Sequence, residues 1–155
     1  MINFNYAQPV KILIFIMNNL NRFLEAQDNV YHQAMHEIQN GEKKSHWMWF
    51  IFPQVKGLGF TQYNIFFGIE DLKEAQLYYD HPVLGKRLIE ITCALLEIEN
   101  KSAVEIMGRP DERKLKSSMT LFSLLPNSSP CFELVLQKFY NGEVDEKTIQ
   151  ILAIN

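Results

Sequence analysis

Apolar residues recur with helical spacing along most of the chain. After Tyr31 they return at Ala34, Met35 and Ile38, which is the pattern of an amphipathic helix. Residues 83–99 carry two apolar stripes on opposite sides of a helical wheel: Leu84, Leu88, Ile91, Leu95 and Ile98 on one, and Ile89, Cys93 and Leu96 on the other. A helix that is apolar on two sides is usually buried among neighbours, so this segment is predicted to be the central helix.

Capping residues and prolines divide the pattern into separate helices. Ser102 and Glu105 have the spacing of a capping box, as do Asp71 and Glu74. Asp145 fits the N-cap of a last short helix. Four prolines fall where a helix should begin or end: Pro82, Pro110, Pro126 and Pro130. We therefore predict a mainly α fold, a single globular domain of about seven or eight helices around a central buried helix.

Composition, charge and cysteine content disfavour several classes of function. The chain has 155 residues, the usual size of one domain, and a formal net charge of −3 that disfavours a protein built to bind nucleic-acid phosphates. Cys93 and Cys131 form neither a disulfide framework nor a CxxC pair, so we expect two reduced thiols in a cytoplasmic protein. The sequence has no Cys/His cluster with metal-ligand spacing, so we expect neither a metal nor a cofactor.

The N-terminal residues differ from the rest. Their apolar run, residues 12–16, is far shorter than the ~20 residues of a membrane-spanning helix. Residues 1–10 have no charged side chain and no Ala-x-Ala-like cleavage site follows the run, so a secretory signal is not indicated. Met17 begins a stretch that is more typical of the start of a protein. We predict that residues 1–16 are an extension or arm, that residues 17–155 form the helical domain, and that no segment spans a membrane.

Both tryptophans, Trp47 and Trp49, lie in one apolar run that ends at Phe52. Periodicity allows this run to be a buried helical turn or a short strand, with Ser45 as an N-cap if it is helical. In the structural interpretation it is part of the core, because tryptophan is mostly buried. In the functional interpretation it is the aromatic wall of a pocket that faces a base or sugar ring. The two are compatible, because a pocket wall is also core.

Polar residues accompany this wall and the helix that Pro110 is predicted to begin. His46 and Gln54 stand at the two ends of the tryptophan segment. On the helix, one face at about 100° per residue is formed by Asp111, Leu115, Ser118 and Phe122. The apolar members require the core, so Asp111 is carried inward and needs a partner or a shifted pKa. In one interpretation Asp111 pairs with Lys114 at the helix start. In the other it lies in a cleft and serves as an acid, a base or a ligand-binding group.

Several stretches resemble an uncharacterised bacterial family, domain of unknown function 1810: residues 22–27, 45–54, 57–59, 81–85 and 114–122. The similarity runs from about Leu20 to Leu152. It implies a small, mainly helical fold and no known activity. Some members are labelled calpastatin, a class of disordered, polar inhibitors from which this chain differs by its strong apolar core. Residues 82–88, 138–139 and 145–152 loosely resemble helical N-glycosidases, without a residue-by-residue match.

Two hypotheses follow for function. The first is a pocket protein or hydrolase acting on a small anionic, nucleotide-like metabolite, with N-glycosidic bond cleavage as the candidate reaction. Its catalytic residues would be Asp111 and His46, and its substrate-binding residues would be Trp47, Trp49, Gln54, Lys114, Ser117 and Ser118. The alternative is a non-catalytic protein-interaction or regulatory module. That role requires Trp47, Trp49 or Phe52 to be exposed in one contiguous patch.

Overall fold

The structure, a computed structural model, describes residues 9–11 and 19–154. Residues 19–154 contain ten helices: α1 (Asn21–Gln27), α2 (Tyr31–Gln39), α3 (Met48–Ile51), α4 (Gln62–Phe67), α5 (Leu72–Asp80), α6 (Leu84–Leu96), α7 (Ala103–Met107), α8 (Asp111–Ser123), α9 (Pro130–Tyr140) and α10 (Glu146–Ile154). The predicted mainly α class is confirmed. The count exceeds seven or eight because α3 and α4, with four and six residues, are too short for periodicity to identify.

The predicted helix starts are set by side-chain caps. The Asp71 carboxylate accepts a hydrogen bond from the Glu74 backbone N–H at the start of α5. Ser102 and Glu105 form the complete capping box of α7. Ser129 caps α9, and Pro130 occupies its first turn. These local hydrogen bonds satisfy N–H groups that a helix leaves free, and they could be predicted because they depend on neighbouring residues alone.

Helix α6 is the central helix, as predicted. Its stripe of Leu84, Leu88, Ile91 and Leu95 is no more than 1% exposed. It packs against α2, α5 and α9, so three neighbours cover it. The second predicted stripe is partly buried and contains Cys93.

The expectation of two reduced thiols is wrong in this structure. A disulfide joins Cys93 of α6 to Cys131 of α9, whose Cα atoms are 5.6 Å apart. That separation lies within the range that a disulfide spans. The two cysteines meet because α6 and α9 pack against each other. Their sequence separation of 38 residues carries no recognisable spacing, so the pairing depends on tertiary structure alone.

The predicted N-terminal arm lies outside the described residues except for 9–11, which are helical and exposed. In the part of the chain that the structure describes, no helix is both long enough and apolar enough to cross a membrane.

Candidate functional site

The tryptophan segment forms a helical turn built around a buried carboxylate. Ser45 does not cap α3, because the N-cap position is Trp47; the Ser45 hydroxyl instead donates to Glu37 Oε1. The buried Trp47 indole N–H donates to Glu37 Oε2. Burial raises the pKa of Glu37, but the hydrogen bonds from Ser45 and Trp47 outweigh burial and hold the pKa below its ordinary value. Glu37 therefore anchors the segment as an ionised acceptor.

A second carboxylate, Asp111, lies at the start of α8 between two lysines. Lys114 Nζ is 3.0 Å from Asp111 Oδ1, so the predicted pair is present. Lys43 Nζ is 2.8 Å from Asp111 Oδ2 and also donates to the Ser45 carbonyl. Burial raises the pKa of Asp111, whereas the hydrogen bonds from Lys43 and Lys114 lower it and dominate. Asp111 is thus an ionised group at neutral pH.

The two lysines connect Asp111 to the tryptophan segment. Lys114 Nζ lies 3.8 Å from the ring centroid of Trp49, and Lys43 Nζ lies 4.9 Å from that of Trp47. Both distances are in the range of cation–π contacts. The two predicted segments, far apart in sequence, therefore converge on one cluster that contains a carboxylate, two ammonium groups and two indole rings. We call Trp49, Lys114, Asp111 and Lys43 the Trp49 site.

Trp49 also has an aromatic neighbour on α4. The Tyr63 ring is nearly parallel to the Trp49 ring, at an interplanar angle of 9° and a centroid distance of 6.2 Å. A crevice of about 10 Å³ lies beside this pair, enough for about one water molecule. Its lining residues are Trp49, Gln54, Val55, Tyr63, Asn64, Phe67 and Gly68. The predicted residue Gln54 therefore lies next to Trp49, in a space too small for a ligand ring.

The side chains of the other predicted site residues make no hydrogen bond or ion pair with the Trp49 site among the described residues. His46 is exposed, and within residues 19–154 no hydrogen bond or ion pair joins it to Asp111. The Ser117 hydroxyl donates to Asp145 Oδ2 at 2.9 Å, which links α8 to the start of α10. Ser118 is fully buried, and its hydroxyl has no hydrogen-bond partner among the described residues. The structure therefore brings together Trp47, Trp49, Lys114 and Asp111.

Three residues of this region were not predicted from sequence: Glu37, Lys43 and Tyr63. Glu37 follows His36 between the apolar residues Met35 and Ile38 of α2, so the pattern gives no clear signal that it is buried. Lys43 lies in a charged run of the kind that indicates a solvent-exposed surface, yet only 7% of its side chain is exposed. Tyr63 belongs to a helix too short to detect.

Comparison with known proteins identifies the family of the chain, and no activity is described for that family. Residues 17–152 match the family described as "Protein of unknown function (DUF1810)". The chain belongs to this family. A solved structure that is similar to this chain is that of the conserved hypothetical protein Rv1873 from Mycobacterium tuberculosis. It has 42% sequence identity and a TM-score of 0.86, and the match covers 88% of this chain and 98% of that chain. No curated protein matches the chain. The predicted family is confirmed, and function has to be inferred from the site.

Proposed function

We propose that the protein binds a small anionic, nucleotide-like metabolite at the Trp49 site. The observation that carries this proposal is the position of Lys114. Its ammonium group lies 3.8 Å from the Trp49 ring centroid and 3.0 Å from Asp111 Oδ1. A planar ring surface, a cation and an ionised carboxylate are thereby combined in one site. These are the groups that would contact a base, a phosphate and a sugar hydroxyl, respectively.

Lys114 has the donor capacity that an anionic ligand needs. An ammonium group has three N–H donors. Within the described ranges, Lys114 Nζ makes one hydrogen bond, to Asp111, whereas Lys43 Nζ bonds both Asp111 and the Ser45 carbonyl. About a fifth of the Lys114 side chain is exposed, compared with 7% for Lys43. We therefore assign ligand contact to Lys114 and the positioning of Asp111 to Lys43.

Asp111 supports binding more strongly than acid catalysis. Its pKa lies below the ordinary value, so it carries no proton to donate near neutral pH. An ionised carboxylate can accept hydrogen bonds from ligand hydroxyls, and it can stabilise the positive charge that develops when an N-glycosidic bond breaks. The predicted role of His46 has no comparable support, because His46 is exposed and no hydrogen bond or ion pair joins it to Asp111 among the described residues. Binding is therefore the core of the proposal.

The alternative, an interaction module, has less support in the form that requires exposed Trp47, Trp49 or Phe52. Trp47 and Phe52 are fully buried. Trp49 is half-buried between Lys114 and Tyr63. These three rings do not form a contiguous surface patch.

The experiment is calorimetric titration with AMP, adenosine and ribose 5-phosphate as three matched probes. AMP has both ring and phosphate, and each of the other two lacks one of them. AMP should bind most tightly, and Lys114→Gln should weaken AMP binding at least tenfold, about 1.4 kcal/mol, while leaving adenosine binding unchanged. Lys116→Gln is the control, because Lys116 lies on the same helix but contacts Glu143 and Tyr140. Equal AMP binding by the two variants, or no AMP binding by the wild type, would overturn the proposal.

A further inference from the structure

Residues 57–68 form a loop that contains α4 and is closed at its base. The Lys56 backbone N–H donates to the Ile69 carbonyl, and the Ile69 N–H donates to the Gln54 carbonyl, both at 2.8 Å. These bonds form a parallel bridge between Val55 and Ile69. A compact surface loop with adjacent ends is an Ω-loop, a type that is often functional. These bonds fix the two ends of the loop next to each other, whatever position the loop itself takes.

Polar contacts hold the loop together, and one attaches its end to the body: Arg22 Nη2 donates to the Gly68 carbonyl at 3.1 Å. Thr61 and Asn64 form a capping box at the start of α4. Within residues 19–154, the hydrogen bonds made by residues 57–67 all have their partners inside the loop. Before Gly68 the attachment is apolar: Phe67 is buried against Phe23 and Phe50, and the partly buried Leu58 also packs on the core. Moving the segment before Phe67 would break no hydrogen bond to the body.

Within α4, Tyr63 contacts Trp49 of the body. Tyr63 is 58% exposed, and within the loop its ring is also parallel to that of Phe67, at a centroid distance of 6.5 Å. The neighbouring side chains Phe60, Ile65 and Phe66 all point to solvent and are more than half exposed. The loop is thus held down by few contacts near its tip. At its start, Gly57 has a φ of +104°, a conformation that only glycine adopts readily.

We propose that residues 57–68 are a lid over the Trp49 site and that Tyr63 occupies, on Trp49, the stacking position of the ligand ring. This inference rests on the proposed function. The crevice of about 10 Å³ cannot admit a ring while Tyr63 is stacked, so the lid must open before the ligand enters. Trp49 would then lose its contact with the Tyr63 ring and gain a contact with the ligand ring. Tyr63 accordingly sets the affinity for ring-containing ligands by competing with them.

The first test needs no ligand. Acrylamide quenching of fluorescence reports Trp49, because Trp47 is fully buried and the Trp49→Phe variant supplies the Trp47 baseline. Tyr63→Ala should raise the quenching constant of Trp49 at least twofold, and Tyr63→Phe, which keeps the ring, should match the wild type. Unchanged quenching in Tyr63→Ala would mean that Tyr63 does not cover Trp49, and the lid would be excluded whatever the protein binds.

The second test uses AMP. Tyr63→Ala should bind AMP and adenosine about three- to tenfold more tightly than the wild type, because the competing stack is gone. Ribose 5-phosphate, which has no base, should not gain. Equal or weaker AMP binding by Tyr63→Ala, with AMP bound by the wild type, would overturn the lid and leave the proposed function standing. If neither protein binds AMP, the proposed function fails and this inference fails with it.

Discussion

Lys43 Nζ lies 2.8 Å from Asp111 Oδ2, and this ion pair joins the segment before α3 to the first turn of α8. Lys43 also donates to the Ser45 carbonyl and lies over the Trp47 ring. One side chain thus holds the tryptophan segment and the acidic end of α8 in a fixed relation. Because little of either charged side chain is exposed, the pair is coupled to folding as well as to the site.

Replacing Asp111 by Asn should therefore destabilise the protein. The substitution leaves two largely buried ammonium groups without a negative partner, and removal of one member of such a cluster costs about 3 kcal/mol. Urea denaturation of the wild type and Asp111→Asn measures this difference. Asp28→Asn, at an exposed position, is the matched control and should change the free energy of unfolding by less than about 0.5 kcal/mol. Similar values for the two variants would contradict the assigned role of Asp111.

The same carboxylate predicts how stability depends on pH. A folded-state pKa below the ordinary value means that Asp111 contributes stability above the unfolded-state pKa of about 4 and loses it as pH falls through the folded-state pKa. The difference in free energy of unfolding between wild type and Asp111→Asn should therefore be largest near neutral pH and shrink as pH falls below about 4. A difference that stays constant between pH 7 and pH 3 would show that Asp111 is not stabilised in its ionised form.

Glu37 should prove essential for the conformation of the tryptophan segment. It accepts hydrogen bonds from the Trp47 indole and the Ser45 hydroxyl, and Glu37→Ala leaves the buried indole N–H without its acceptor. Loss of such an acceptor costs about 1–3 kcal/mol, which chemical denaturation can detect. Glu42→Ala, at an exposed glutamate nearby, should have almost no effect. Equal stability of the two variants would argue that Glu37 is dispensable.

The disulfide between α6 and α9 should contribute substantially to thermal stability. It closes a loop with a sequence separation of 38 residues, for which the chain-entropy model gives about 4 kcal/mol. Reduction should then lower the Tm by roughly 8–16 °C for a domain of this size. A Cys93→Ser/Cys131→Ser double variant should have the lower Tm with or without reductant. Two titratable thiols in the untreated protein, with no response to reductant, would contradict the bond.

Features that depend on nearby residues could be predicted from sequence. The apolar stripes of α6 and the caps of α5, α7 and α9 follow from spacings of a few residues. The same holds for the Asp111–Lys114 pair, one turn apart on α8. These features gave the mainly α class and half of the Trp49 site.

Features that depend on packing between distant segments could not be predicted from the sequence. The partners of Asp111 and Trp47 outside their own segments, Lys43 and Glu37, carry no spacing signal, and neither does the cysteine pair. Tyr63 is brought to Trp49 by a loop whose ends are paired in space, not by a periodic pattern. The two serines after Lys116 satisfy the helix pattern equally well as core residues and as ligand contacts, and the structure places both in the interior.

The most direct test of ligand binding at the Trp49 site is an AMP titration followed by the two tryptophan indole signals in ¹H–¹⁵N NMR spectra. Trp47, buried and bonded to Glu37, serves as the internal control. The Trp49 signal, assigned with Trp49→Phe, should shift progressively and saturate while the Trp47 signal stays in place. If neither signal moves at millimolar AMP, or if both move equally, the ligand does not bind at the Trp49 site.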